Sequence, residues 1–296
     1  MFDIIIIGAG PAGLTAALYA GRAGKKVLVL EVKNYGGQII NSGILENYPG
    51  LYNVTGYDFS TTLYKQVLDI GVEVKYETVK RVTKELQVIT DKNEYTSKAI
   101  IIATGLSRKK LKLENEEELI GKGVSYCAVC DGNFYKGKDV MVVGGGNSAL
   151  EEAIYLSNIA NKVYLVHRRN NFTGENTYIE KIKSINNIEI LYNSTVEKIN
   201  KSNVLESVDI NLNGEIKNIK VSGLFVAIGL EANNEIFKDL LELNSFGYIK
   251  SHDTVFTSVK NIYVAGDTRD KELRQLTTAT SDGALAATMA IKNMED

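Results

Sequence analysis

The sequence predicts an α/β protein carrying two βαβ domains of related design, and three observations carry that expectation. A β-branched apolar run at residues 3–7, a glycine-rich turn at 8–13 and a helical segment at 14–21 follow one another at the start of the chain. The same order returns about 136 residues later, with an apolar run at 139–143, glycines at 144–146 and a helical segment through 149–156. A repeat at that distance is too long for a solenoid and indicates two domains in place of an array.

Length and composition agree with this reading and exclude other classes. With 296 residues the chain exceeds one ordinary core, so two domains of typical size are expected. Apolar residues make up 44% and charged residues 24%, a balance that argues against disorder, a fibre or a membrane protein. The formal net charge of −2 leaves no basic footprint for nucleic acid and no polybasic stretch for a membrane surface. The isoleucines at 4–7 are too few to span a bilayer, and no charged leader precedes them, so a cytoplasmic address is expected.

Taken in order, the strand at 3–7 has the continuous β-branched character of one buried on both faces of a parallel sheet. Gly8, Gly10 and Gly13 then form a GxGxxG turn between strand and helix. In that context the first glycine permits the turn, the second lets a pyrophosphate approach the backbone and the third lets helix and strand pack closely. The helix carries Leu14, Ala16, Ala17, Leu18 and Ala20, and Gly24 ends it before a second strand at 27–30. Glu31 closes that strand, where a carboxylate holds a ribose hydroxyl. Further on, residues 71–76 and 86–90 alternate like strands of an antiparallel meander, and 99–105 reads as a buried strand ending in a tight turn. A comparable ending recurs at 223–229, and the domain joints are expected near 113–118 and 243–247.

In the second unit Gly144, Gly146 and Ala149 give the variant GxGxxA, and its second strand, 162–166, ends in His167-Arg168-Arg169 where the first unit has an acid. A carboxylate repels a 2′-phosphate and guanidinium groups bind it, so this pattern points to NADPH over NADH. The two cysteines, Cys127 and Cys130, are three positions apart and are followed by Asp131. So small a loop cannot staple a domain of this size, and in a reducing compartment a CxxC bridge is usually catalytic. A zinc half-site lacks partners, since no second CxxC exists and the only histidines are His167 and His252, while a pair of inert thiols and a capping role for Asp131 stay open.

Together these residues resemble the low-molecular-weight bacterial thioredoxin reductase family. The resemblance runs from about residue 2 to 290, through GAGPAG at the start, GGQ at 36–38, ENYPG at 46–50, ATG at 103–105, CAVCDG, GGGNSALEEA, HRR and AGDTRD…RQ. It implies two Rossmann-like three-layer dinucleotide-binding domains, the second inserted into the first. An FAD domain of residues 1–114 and 244–296 would flank an NADPH domain of 115–243 that carries the CxxC. On that resemblance FAD lies against Gly8, Gly10, Pro11, Ala12, Gly13 and Glu31, then Val32, Lys33, Asn34, Tyr35, Gly36, Gly37 and Gln38. Asn47, Ala103, Thr104, Gly105, Gly266, Asp267, Arg274, Gln275 and Leu276 complete its site. NADPH lies against Gly144, Gly146, Asn147, Ser148, Ala149, His167, Arg168, Arg169, Ile228 and Gly229. Cys130 is the sulfur near the flavin, Cys127 the one that exchanges with a thioredoxin-like partner, and Asp131 the acid/base. A homodimer and a rotation of the inserted domain are implied as well.

The chain also departs from the family pattern. Thr173 stands where an arginine often completes the basic clamp, Asn147 replaces the aspartate of GGGDSA, and Leu230-Glu231-Ala232-Asn233 replaces a proline-containing turn. A relaxed coenzyme choice is compatible with these changes. Related flavoenzymes fed by ferredoxin tend to lose the second glycine motif and the HRR run, both retained here, and peroxiredoxin-reductase flavoproteins carry an extra redox domain in front. A non-catalytic flavoprotein sensor is the alternative from outside the enzymes.

Overall fold

The computed structural model describes residues 1–251 and 254–295, so His252 lies outside the described residues. The chain divides into two compact units, one of Met1–Ser107 with Glu231–Asp296 and one of Arg108–Leu230.

The first unit is built on parallel strands in the order Glu73–Tyr76, Val27–Glu31, Phe2–Ile7 and Glu94–Ile102, with Ile262–Val264 also pairing parallel to Glu94–Ile102. The isoleucine run is central because both its faces find apolar cover. Ile4 and Ile6 face the helices Pro11–Arg22, Gly56–Asp69 and Leu276–Glu295, while Ile5 and Ile7 pack with Val79, Val82, Val88, Phe237 and Leu241 on the other side. Each such side chain contributes about 1.5–3 kcal/mol by leaving water. Glu94–Ile102 serves two sheets: Glu94 to Thr96 pair antiparallel with Gln87–Thr90, and Ser97 to Ile102 pair parallel with Phe2–Ile7. The helices Pro11–Arg22 and Leu276–Glu295 approach closely through Ala12, Ala16, Ala279, Gly283 and Ala286, where a β-carbon on Gly283 would stand 2.1 Å from the Ala12 carbonyl oxygen.

The second unit repeats the plan. Parallel strands run in the order Ile188–Leu191, Lys162–Val166, Asp139–Gly144, Gly223–Ala227 and Val124–Ser125. The helix Asn147–Ser157 packs on Val140 and Val142, and an antiparallel sheet of Ser194–Lys201, Leu205–Leu212 and Glu215–Lys220 covers Met141 and Val143 from the other face.

One local expectation needs correction. Residues 73–76 join the parallel sheet beside Val27–Glu31 and not an antiparallel meander. As the edge strand it is half wetted, and a half-wetted strand alternates in sequence whatever the direction of its neighbour. The two units divide at 107/108 and 230/231, with residues 113–118 in the second unit and 243–247 in the first. The acidic stretch is a packed turn: the buried Glu116 carboxylate accepts the backbone N–H groups of Leu111 at 2.8 Å and Lys112 at 2.7 Å, and the Tyr126 hydroxyl at 2.7 Å.

Candidate active site

In the first unit the glycine loop is shaped by contact. A β-carbon at Gly13 would lie 1.9 Å from the Gly8 carbonyl oxygen, so the helix can sit this close to the strand only with glycine there. A β-carbon built on Gly10 would by contrast meet only the Gly37 Cα, in ordinary contact at 3.8 Å. Glu31 Oε2 accepts the Ala9 N–H at 2.8 Å and Oε1 that of Val32 at 2.7 Å, which fixes the carboxylate beside the loop with acceptor capacity to spare. The segment with Val32, Lys33 and Asn34 is exposed, and it folds back through the Gly36 N–H, which donates to the Ala9 carbonyl at 2.8 Å. Tyr35 stacks on Tyr64 with ring centroids 4.1 Å apart, Gly37 faces Gly10, and Gln38 donates to the Leu106 carbonyl at 3.1 Å.

Distant segments of the same unit converge here. The Ala103 N–H donates to the Ile7 carbonyl at 2.8 Å, and Thr104 meets the Thr268 hydroxyl at 2.9 Å just before Gly105. Asn47 donates to Gln275 Oε1 at 3.0 Å, immediately ahead of Leu276 and the last helix. Arg274 lies over the Tyr248 ring at 4.0 Å and donates to the Asp267 carbonyl at 3.3 Å. Asp267, next to Gly266, holds its Oδ1 buried without a hydrogen bond, with the Lys271 ammonium at 3.5 Å, although the side chain as a whole is 34% exposed. Burial pushes its carboxyl above the usual range despite Lys271 and Arg274 nearby. A carboxylate so placed wants a polar ligand, and it is the feature that best fits a flavin dinucleotide. Beneath it, Asp282 accepts from Arg269 at 2.6 Å, Lys271 at 3.0 Å and the Gly266 N–H at 3.1 Å. The sequence reading gave no role to Arg269, Lys271 or Asp282, although the first two stand within the TRDK run after AGD.

In the second unit a cavity of about 590 Å³ gathers Gly144, Gly146, Asn147, Ser148, His167, Arg168, Arg169, Ile228 and Gly229. Lys109 and Lys110, to which the sequence pattern gave no role, also border it, and among the described residues no carboxylate does. Ala149 is buried behind the loop as helix packing. His167 lies under the loop, its ring 2.2 Å from where a Gly145 β-carbon would be, with Nε2 on the Asn171 carbonyl at 2.9 Å. Burial pushes its pKa down, so the positive charge comes from Arg168 and Arg169. Asn147 accepts the Glu175 N–H at 2.8 Å and donates to the Glu175 carboxylate at 2.8 Å, a pairing that an aspartate there would turn into repulsion. Thr173 donates to the Gly145 carbonyl at 3.2 Å and so closes the loop in place of adding charge.

Cys127 and Cys130 form a disulfide across the short turn Ala128–Asp131, with Cα atoms 5.4 Å apart. Cys127 is half-buried and Cys130 exposed. The Cys130 N–H donates to the Cys127 sulfur at 3.2 Å, an arrangement that favours a thiolate there once the bond is reduced. Glu152, on the helix that follows the second glycine loop, accepts from Arg108 at 2.9 Å and lies beside the Ala128 N–H. Its Oε2 is buried without a partner, and burial raises its pKa above the usual range.

Two βαβ units with glycine loops and a disulfide on a turn are the features of a pyridine-nucleotide disulfide oxidoreductase, and the chain belongs to that family: the model described as "Pyridine nucleotide-disulphide oxidoreductase" matches residues 2–283. Membership carries flavin and pyridine-nucleotide binding with it. The chain is 42% identical to the thioredoxin reductase of Bacillus subtilis over 97% of its length and 93% of the relative's, and 40% identical to that of Mycoplasma genitalium over the same shares. The crystal structure of Lactococcus lactis thioredoxin reductase matches with a TM-score of 0.88 at 36% identity, covering 99% of this chain and 98% of that one. Among the described residues no helix is long and apolar enough to cross a membrane.

Proposed function

We propose that the chain is a thioredoxin-disulfide reductase, which passes two electrons from NADPH by way of FAD to the Cys127–Cys130 disulfide and on to a thioredoxin-like protein. The observation that carries this reading is the disulfide on its turn, with Asp131 at the turn's end, inside the unit that also holds the second glycine loop. We assign the unit of Met1–Ser107 and Glu231–Asp296 to FAD and that of Arg108–Leu230 to NADPH. The enzyme would work in the cytoplasm as a homodimer.

FAD would be held by the Gly8–Gly13 turn, Glu31, the loop through Gln38, Asn47, Asp267 and the Arg274–Leu276 segment. When bound it supplies two-electron exchange between a nicotinamide and a disulfide. Arg168 and Arg169, with Lys109 on the same cavity, would give the coenzyme's phosphates cationic partners among neutral polar residues such as Asn147, Ser148 and Thr195. Cys127 attacks the partner's disulfide as a thiolate, Cys130 resolves the mixed disulfide, and Asp131 moves the protons that thiol exchange requires.

Anaerobic titration of the flavin-loaded protein with NADPH, followed by addition of oxidised thioredoxin, tests the proposal. NADPH should bleach the flavin and thioredoxin should restore its colour. If NADPH fails while reduced ferredoxin succeeds, the assigned donor is wrong.

A further inference from the structure

We propose that Ser125 is a positioning residue for the thiol-disulfide step, its buried hydroxyl holding the Asp131 carboxylate and the Cys127 amide in one fixed relation. The inference rests on the reading of Cys127–Cys130 as the redox-active pair.

Ser125 ends the strand Val124–Ser125, opposite Phe225 of Gly223–Ala227, and is 2% exposed. Its Oγ donates to Asp131 Oδ2 at 2.6 Å and accepts the Cys127 N–H at 3.1 Å. A hydroxyl has one proton, and the shorter contact to Asp131 takes it in preference to the Cys127 carbonyl at 3.3 Å. The Asp131 N–H also donates to the Cys127 carbonyl at 3.1 Å. The turn is therefore closed twice, once through the backbone and once through Ser125. Asp131 itself is half-buried and would otherwise sample several rotamers. Anchored to a strand of the parallel sheet, its carboxylate keeps one place relative to the sulfurs.

That place matters because protons must move with the electrons. Two electrons and two protons convert the Cys127–Cys130 bond into two thiols. In the return reaction Cys127 Sγ bonds to one partner sulfur and the partner's S–S bond breaks. Cys130 Sγ then attacks Cys127 Sγ, the mixed disulfide breaks, and the partner leaves with two thiols. Asp131 accepts a proton from an attacking thiol and returns it to the departing sulfur, so a carboxylate displaced from its site slows both exchanges.

The test uses the flavin-loaded full chain with Ser125→Ala, Ser125→Thr, Asp131→Glu, Asp131→Asn and Ser125→Ala/Asp131→Asn. Ser125→Ala should lower kcat for oxidised thioredoxin about 10-fold, the effect of losing one hydrogen bond to a charged group. Its kcat–pH profile should shift, flavin reduction by NADPH should keep its rate, and Ser125→Thr should recover most of the loss. Iodoacetamide alkylation of the dithiothreitol-reduced protein should change its pH dependence in the same variant. The double variant should be no slower than Asp131→Asn alone. Should the alanine variant not fold, Asp131→Glu, which keeps the carboxyl but lengthens the arm, should show the same loss. Wild-type kcat and pH profile in Ser125→Ala or Asp131→Glu, or losses that add in the double variant, would overturn the proposal. Failure of the unmodified chain to reduce thioredoxin would instead overturn the functional reading.

Discussion

Asn47 donates a hydrogen bond of 3.0 Å to Gln275, a residue 228 positions further along the chain. Both side chains are exposed at their own segments, so neither is held by a core. The bond ties the ENYPG loop to the start of the last helix, and through it two strips of the proposed flavin site hold each other in register.

Asn47→Ala should loosen FAD without unfolding the unit. Losing one neutral hydrogen bond costs about 1 kcal/mol, or roughly a 5-fold rise in the dissociation constant. Flavin fluorescence on dilution measures it, and unchanged retention would show that the bond does not brace the site.

Cys127→Ser should keep reduction of the flavin by NADPH and abolish reduction of thioredoxin, because the outward-exchanging sulfur is gone. Cys130→Ser should trap a mixed disulfide with the partner through Cys127. If only Cys127→Ser traps the partner, the two sulfurs have exchanged roles, in line with the greater exposure of Cys130.

Replacing both Arg168 and Arg169 by alanine should raise KM for NADPH by about 10-fold or more and leave KM for NADH nearly unchanged, since charge-assisted bonds to a 2′-phosphate are worth about 1.5–3 kcal/mol. Equal losses for the two coenzymes would mean that the pair serves the pyrophosphate.

Gly283→Ala sets helix propensity against packing. Alanine would favour the helix by about 0.5–1 kcal/mol, but its β-carbon would stand 2.1 Å from the Ala12 carbonyl oxygen. Backbone cannot yield as a flexible side chain does, and overpacking of this kind costs about 1–3 kcal/mol. The melting temperature should drop by several degrees; a rise would refute the close helix contact.

Glu152 makes stability depend on pH. Burial raises its folded pKa above the ordinary glutamate value, so the folded state binds the proton more tightly than the unfolded one. The stability from that proton is fully present below about pH 4.5 and is lost as pH rises through the folded pKa. Glu152→Gln has no such proton, so the margin of wild type over the variant in melting temperature should shrink as pH rises across this window. A margin independent of pH would rule the effect out.

Much of this was legible in the residues. The two βαβ units, both glycine turns and the CxxC are local patterns, and local backbone demands fixed them: Gly13 had to be glycine because its helix touches the Gly8 carbonyl. What escaped the sequence depends on side chains meeting across the fold. Glu116 reads as one acid in a charged stretch, and nothing local shows that its carboxylate accepts from three backbone amides and the Tyr126 hydroxyl. Ser125 is an ordinary strand serine by composition, and only pairing beside Phe225 places its hydroxyl under Asp131. Asp282 lies in a helical run of small residues, and its meeting with Arg269 and Lys271 is a tertiary event.

The strand Ile262–Val264 and the helix Leu276–Glu295 complete the unit that the first residues begin. Order of synthesis follows from that arrangement. A ribosome has delivered every strand of the inserted unit once residue 227 emerges, while the flanking unit still waits with the apolar flank of Pro11–Arg22 bare. A nascent chain stalled in between holds one finished half and one sticky half, the kind of species that chaperones and proteases sort.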